Sequence, residues 1–265
     1  MTRQRYYFSR LRLRGDTADI RALARIAASD AYREHRLVWQ FFPDDADAAR
    51  DFLYRREESS AQRGALTYFV VSRRPPHPDN ALWIVDTKDY APELTVGDRY
   101  EFFLRANPVK HRKQERSPED EAAFLARRQA AGLPPPRDTG RRKRDDAIHE
   151  AKKTFKEAFG DAWTQEYNAV ELEHAAGFAW IEAQGQRLGF AVRADEVSTS
   201  GYRQERFKTR GGRCAEFSRL DFAGRLTVTD PERFGVALLD GVGPAKAFGC
   251  GLLTIRRSTV DGVDG

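Results

Sequence analysis

The chain is poor in cysteine. Cys214 and Cys250 are its only two, and they lack metal-ligand spacing, so neither a disulfide framework nor a structural zinc site is supported. Long hydrophobic runs are also missing. The longest uncharged apolar stretch, Gly64 to Ser72, is about half of the ~20 residues that a membrane-spanning helix needs. Met1 to Arg5 contain no apolar leader core. Neither membrane insertion nor secretion is therefore expected, and a cytoplasmic location follows. Material for a core is present: 265 residues are 40% hydrophobic and 11% aromatic, with 17 Phe and 4 Trp, which excludes general disorder. That length admits one large domain or two small ones.

The formal charge of +5 comes from 45 Lys and Arg against 40 Asp and Glu. Its distribution is uneven. Residues 105–156 hold 15 basic against 8 acidic side chains and residues 203–213 hold 5 against 1, leaving the rest of the chain at −6. Thirty-six of the 45 basic residues are arginine, whose planar fork suits phosphates and base edges. A polyanionic partner, nucleic acid foremost, fits this pattern. The competing reading is an arginine-rich host composition on a solvated surface.

Arg5 to Leu13 alternates in polarity as a strand does, with Tyr7, Ser9, Leu11 and Leu13 on one side. Asp16 to Phe42 reads as helical with a break at Ser29 and Asp30, an N-cap pair, so that a second helix starts at Ala31. Phe52 to Arg55, Leu66 to Val71 and Ala81 to Asp86 read as strands. This order fits a ferredoxin-like βαββαβ unit with its second helix reduced. Tyr100 to Pro108 opens a second, larger unit of the same order, with the boundary between residues 93 and 94. The expected architecture is thus α+β: two tandem ferredoxin-like domains, residues 1–93 and 94–265.

Within the second unit, Pro118 to Gln129 reads as a helix, and the Pro-rich basic segment from Gly132 to Asp146 as an exposed, mobile insertion. Strands are expected at Gly177 to Glu182, Leu188 to Arg193, Arg203 to Lys208, Cys214 to Phe222, Gly224 to Thr229 and Leu252 to Arg256. A helix capped by Asp230, with Pro231 in its first turn, ends at Gly241.

The most specific local motif is the glycine-rich run from Gly241 to Leu253. It lies between a helix and the last strand, the reverse of a dinucleotide-binding loop, and it lacks the ending of a Walker loop. Two readings remain. The loop lets backbone approach an RNA phosphate, with Lys246 as a point charge, or it is a tight connection whose glycines accept positive φ.

Four blocks, Tyr32 to Arg36, Arg50 to Tyr54, Phe103 to Lys110 and Gly243 to Leu253, resemble in type and order the CasE family, the repeat-processing endoribonucleases of type I-E CRISPR systems. The resemblance spans nearly the whole chain. It implies tandem ferredoxin-like domains, binding to the stem-loop of a CRISPR repeat, cleavage at the base of that stem without metal or other cofactor, and retention of the product with the other subunits of Cascade.

Tyr32 and His35 lie one helical turn apart, with Arg36 and Trp39 on the same face and Leu37, Val38 and Phe41 on the other. On residues alone this is an exposed helix histidine; the resemblance makes Tyr32 and His35 the catalytic pair. RNA carries its own nucleophile, the 2′-hydroxyl, so in-line positioning suffices without a metal. His35 acts as general base or general acid, and one imidazole cannot start in both states. Arg36 offsets charge on the phosphate. The implied products are a 2′,3′-cyclic phosphate and a 5′-hydroxyl. In the family the residue before the histidine is usually apolar, whereas here it is Glu34, which either favours the helix N-terminus or alters how His35 is held.

Arg203, Arg206, Lys208 and Arg210 surround Gly211 and Gly212 and read as a hairpin with a basic tip. The resemblance gives these four the reading of the RNA stem, beside Lys110 and Lys246. The run Arg141 to Arg144 is a nonspecific phosphate contact or a charged loop. Two other functions remain open: a noncatalytic RNA-binding subunit of the same fold, and a single-strand binder using stacked aromatics, for which no RNP-type strand is present.

Overall fold

In the computed structural model the residues described are 5–14, 31–43, 50–57, 66–77, 82–136, 138–160, 168–208 and 214–258. Strands β1 (Tyr7–Leu13), β2 (Phe52–Glu57), β3 (Thr67–Ser72) and β4 (Trp83–Asp89) form one antiparallel sheet in the order β2-β3-β1-β4. This is the ferredoxin-like order. The first strand sits centrally because the helix after it, α1 (Ala31–Trp39), carries the chain across the sheet to the far edge. The described residues joining β3 to β4 form no helix.

Strand alternation divides the residues of this sheet between two faces. Leu11, Tyr54, Tyr68 and Val70 turn to α1, whose Val38, followed by Phe41 and Phe42, completes a buried core with Phe52 and Trp83. Leu53 and Val71 turn the other way and pack with Leu252 of the second unit. One face is therefore roofed by a helix and the other by the second sheet.

That second sheet is built from β5 (Arg99–Ala106), β8 (Phe190–Lys208), β9 (Cys214–Val228) and β10 (Leu253–Arg257) in the order β10-β5-β9-β8, again ferredoxin-like. Between β5 and the first long helix of this unit the chain inserts β6 (Val109–Gln114), α2 (Pro118–Ala130), β7 (Arg141–Asp146) and α3 (Ala147–Phe159). Helices α4 (Ala169–Leu188) and α5 (Pro231–Asp240) follow. The helix start at Asp230 is as expected, its carboxylate accepting from the Arg233 amide at 3.0 Å.

Two buried arginines lie where the sheets meet. Arg55 has its guanidinium carbon 4.0 Å from the centroid of the Phe103 ring and pairs with Glu57 at 2.9 Å. Arg105 makes two parallel 2.7 Å bonds to Asp221. Arg55 is removed from water against a carboxylate and an aromatic ring, and Arg105 against a carboxylate, which replace the lost hydration.

The structure corrects several expectations. Gly177 to Glu182 is no strand; it lies inside α4. The helical period is visible in its buried residues, Leu172, Ala176, Trp180 and Gly177, Ile181, Gly185, each set spaced by four. Gly177 lets that helix lie close against the sheet, since a Cβ there would meet Leu220 Cδ2 at 2.8 Å. The expected breaks within β8 and β9 are bulges in continuous strands: the β8–β9 register shifts between Val192 and Val197 and again between Ser200 and Arg203. Gly224 lies opposite the first shift, where a Cβ would meet the Glu196 carbonyl oxygen at 2.0 Å. The basic end of the insertion is an ordered strand, because β7 pairs along its whole length with β6. The break at Ser29 and Asp30 lies outside the described residues, as does Arg210.

Candidate active site

α1 is short, and its last turn tightens as the amides of Phe41 and Phe42 reach back three residues to Val38 and Trp39 at 3.1 and 3.0 Å. Glu34 fixes its rotation. That side chain points into the protein and pairs with Arg56 of β2 at 2.9 Å, its own exposure only 12%. The departure at this position is thus an anchor between helix and sheet, and it leaves the face of Tyr32, His35 and Arg36 turned elsewhere.

That face does not look into open solvent. His35 sits among the rings of Trp39, Phe52, Tyr54 and Phe248, with centroids 5.8 to 6.5 Å away. Tyr32 stacks on Phe207 of β8 at 6.4 Å and 13° from parallel. Phe207 in turn meets Phe248 at 4.7 Å and Phe217 at 6.1 Å. The helix is therefore clamped between β2, the glycine-rich loop and the loop end of the β8–β9 hairpin. Arg36 remains exposed.

The imidazole of His35 has its Nδ1 buried and without a hydrogen-bond partner. Burial, reinforced by the positive charge of Arg50, holds its pKa below the ordinary histidine value. A neutral ring at neutral pH results. Arg50, Phe52 and Tyr54 alternate along one side of the β2 segment, which brings Arg50 to the same side as the two rings beside His35. The Arg50 Nη1 is likewise buried without a partner.

The glycine-rich loop wraps round the outer edge of β2. Its turn, Lys246–Phe248, is held there by the Tyr54 hydroxyl, which donates to the Ala247 carbonyl at 3.1 Å. Burial, with the charge of Glu34 second, keeps that phenol protonated well above its usual range. Tightness of the loop comes from its glycines. Gly251, at φ +89°, donates to the Arg105 carbonyl at 2.7 Å and accepts from the Val242 amide at 2.9 Å. A Cβ at Gly241 would meet Leu53 Cδ1 at 2.9 Å. The reading of the loop as a tight connection thus has a physical basis, and the loop also sets Phe248 beside His35, with Lys246 at the other end of the turn. The Lys246 pKa is lowered by burial, with Asp240 opposing and Arg50 and Arg187 adding to the effect.

The hairpin arginines are exposed and engaged with neighbouring carboxylates. Arg203 pairs with Glu205 at 2.7 Å and Arg206 with Glu216 at 3.1 Å. Lys208 ends β8 where the hairpin tip begins. Lys110 stands exposed on β6 opposite Asp145, outside the ring cluster around His35. Among the described residues, no group of three or more His, Cys, Asp or Glu side chains is placed to hold a metal ion, and no helix is long and apolar enough to cross a membrane.

Sequence reasoning did not single out Arg50, Tyr54, Phe207 or Phe248 for this site. Arg50 and Tyr54 had a visible signal, as the ends of one motif block. Phe207 lay hidden among the charges of the hairpin, and nothing local announces that Phe248 would meet a helix more than two hundred residues earlier.

Residues 6–257 match the family model described as CRISPR associated protein. The chain is 27% identical over 233 residues to the CRISPR system Cascade subunit CasE of Escherichia coli strain K12, covering 88% of this chain and 95% of that protein. It is 26% identical over 247 residues to the CRISPR-associated endoribonuclease Cse3 of Thermus thermophilus, covering 88% and 92%. A solved structure of Thermus thermophilus Cse3 bound to an RNA representing a pre-cleavage complex superposes with a TM-score of 0.61 at 23% identity, over 95% of this chain and 99% of that one.

Proposed function

The chain belongs to the CRISPR-associated protein family, and from that premise we propose that it is a metal-independent endoribonuclease that cleaves precursor CRISPR RNA at the base of the repeat stem-loop. It then holds the mature RNA within Cascade, in the cytoplasm. One observation carries the catalytic part: a half-buried histidine of depressed pKa, unpartnered at Nδ1, stands one helical turn from a tyrosine where the two sheets' elements converge. The units are residues 1–93, which bear the helix, and 94–265, which bear the hairpin and the glycine-rich loop.

In the reaction the 2′-oxygen attacks the adjacent phosphorus, its proton leaves, and the bond from phosphorus to the 5′-oxygen breaks. A cyclic phosphate and a 5′-hydroxyl result. His35, neutral at rest, takes the 2′-hydroxyl proton, and the imidazolium so formed gives it to the departing 5′-oxygen, which leaves as the 5′-hydroxyl; with Nδ1 buried, both transfers fall to Nε2. Tyr32, its ring set by Phe207, holds a phosphate oxygen, and Arg36 offsets the charge that builds in the transition state. Arg203, Arg206, Lys208 and Arg210 grip the stem. A-form RNA hides its base edges in a deep groove, so such a hairpin reads phosphates first. Lys110 and Lys246 supply further phosphate contacts.

The test incubates the protein with repeat RNA in EDTA, beside the same RNA carrying a 2′-deoxy nucleotide at the cleavage position. Cleavage of the first and survival of the second are expected. A need for Mg²⁺, or cleavage of the deoxy RNA, would sink the mechanism; binding with no cleavage of either would make this a noncatalytic RNA-binding subunit.

A further inference from the structure

The β6–β7 insertion, α4, α5 and the glycine-rich loop enclose a cleft of about 560 Å³. Its walls carry His111 and Arg144 from the insertion, Arg187 from α4, Lys246 from the loop and Asp240 from the end of α5. Asp240 is the one carboxylate among the described lining residues, and it also lies 4.0 Å from Arg73. Among the described residues neither Arg144 nor Lys246 lies within ion-pair distance of a carboxylate, Asp240 acting on Lys246 only at longer range, and Arg187 bonds the neutral amide of Gln184 at 2.7 Å. These cations contrast with Arg203 and Arg206 of the hairpin, each paired with a glutamate. A concave surface with an excess of positive charge concentrates field lines and attracts a polyanion.

The cleft opens beside the reaction centre. Phe248, whose ring is 6.4 Å from that of His35, and Lys246, which lines the cleft, are the two ends of one turn. Two residues of chain span at most about 7 Å. The phosphate next to the scissile one therefore falls within reach of the cleft, whereas the stem is held by the hairpin on which Tyr32 stacks. Of the two single strands that leave the base of a stem, the downstream one is continuous with the scissile phosphate; the upstream one leaves from across the duplex. The cleft volume lies within the roughly 300–1,000 Å³ typical of small-ligand clefts, room for part of one strand rather than for a duplex.

We propose that this cleft receives the single-stranded RNA immediately downstream of the cleavage position, its phosphates lying against Arg144, Arg187 and Lys246. The proposal rests on the endoribonuclease reading above. It makes the precursor bind more tightly than the product, because cleavage severs the strand the cleft holds and lets the 5′-hydroxyl fragment leave.

The test uses the full chain and three hairpin RNAs made uncleavable by a 2′-deoxy nucleotide: one ending just past the cleavage position, one with eight further downstream nucleotides, one with eight added upstream. Fluorescence anisotropy across a salt series should show the downstream extension tightening binding about tenfold and steepening the salt slope by about 2, the value for three single-strand phosphates. The double variant Arg144→Gln/Arg187→Gln should lose that gain, keep its affinity for the short hairpin and melt at the unchanged temperature. Equal affinity for all three RNAs, a gain from the upstream strand alone, or equal weakening of short and extended RNAs by the variant would each overturn the proposal. Cleavage of all-ribose RNA, run in parallel, separates the two readings. Cleavage without the downstream gain removes the cleft, and the gain without cleavage removes the nuclease.

Discussion

Tyr32 of α1 and Phe207 of β8 lie nearly parallel across the two units, 6.4 Å between ring centroids and 13° between ring planes. The same Phe207 touches Phe248 of the glycine-rich loop, which touches His35. The hairpin and the His35 face of α1 are thereby joined through four rings, so the loop end of the hairpin bears on the geometry of the helix.

Phe207→Ala should slow single-turnover cleavage at saturating RNA by about tenfold or more, in line with the cost of a small misplacement of reacting groups. Affinity should fall much less, and Phe207→Leu should restore most of the rate. If affinity falls and the rate at saturation does not, the ring belongs to RNA binding alone.

The pH profile follows from the direction of the His35 shift. Burial and Arg50 both disfavour the imidazolium, so the base form prevails from below the ordinary histidine pKa upward. The single-turnover rate should rise with pH toward a plateau, the midpoint of the rising limb lying on the acid side of 6.5. Removing the charge with Arg50→Gln should return the pKa toward that value and move the rising limb to higher pH. A limb that stays in place, or a rate that falls with rising pH over this window, would rule out His35 as the base under Arg50's influence.

Arg206 is held by Glu216 in the free protein. A phosphate must displace that carboxylate, so Glu216→Gln should tighten RNA binding a few-fold at low salt. Arg206→Gln should weaken it and lower the salt slope by about 0.9, the value for one duplex phosphate contact. Glu216→Gln with unchanged affinity would mean that Arg206 does not meet the RNA.

Asp221→Ala leaves the buried Arg105 guanidinium without its two bonds. Chemical denaturation should show a loss of about 3–5 kcal/mol, the cost of breaking a buried pair by removing one member. Replacing both residues by apolar ones of similar volume should recover most of it. A loss below about 1 kcal/mol for the single variant would mean water takes the place of the carboxylate.

Much of this molecule is determined by local pattern. Period-two alternation marks β1, the Asp230 and Pro231 signals mark α5, and the spacing of Tyr32 and His35 puts them on one helical face. Such features depend on neighbours a few residues away, and the residues that make them are contiguous. The long-range pairings were not legible. Gly177 to Glu182 reads as a strand until the sheet beneath it needs a close-lying helix, and β7 is a basic loop until β6 offers it hydrogen bonds. Only the tertiary structure decided that the face of His35 is walled by Phe52, Tyr54 and Phe248, that Glu34 points inward to Arg56, that Arg50 lies near the imidazole, and that Lys246 joins Arg144 and Arg187 in one cleft. A pKa shift and an anion-attracting cleft arise from charges and buried surfaces brought together by folding, and no stretch of sequence contains that proximity.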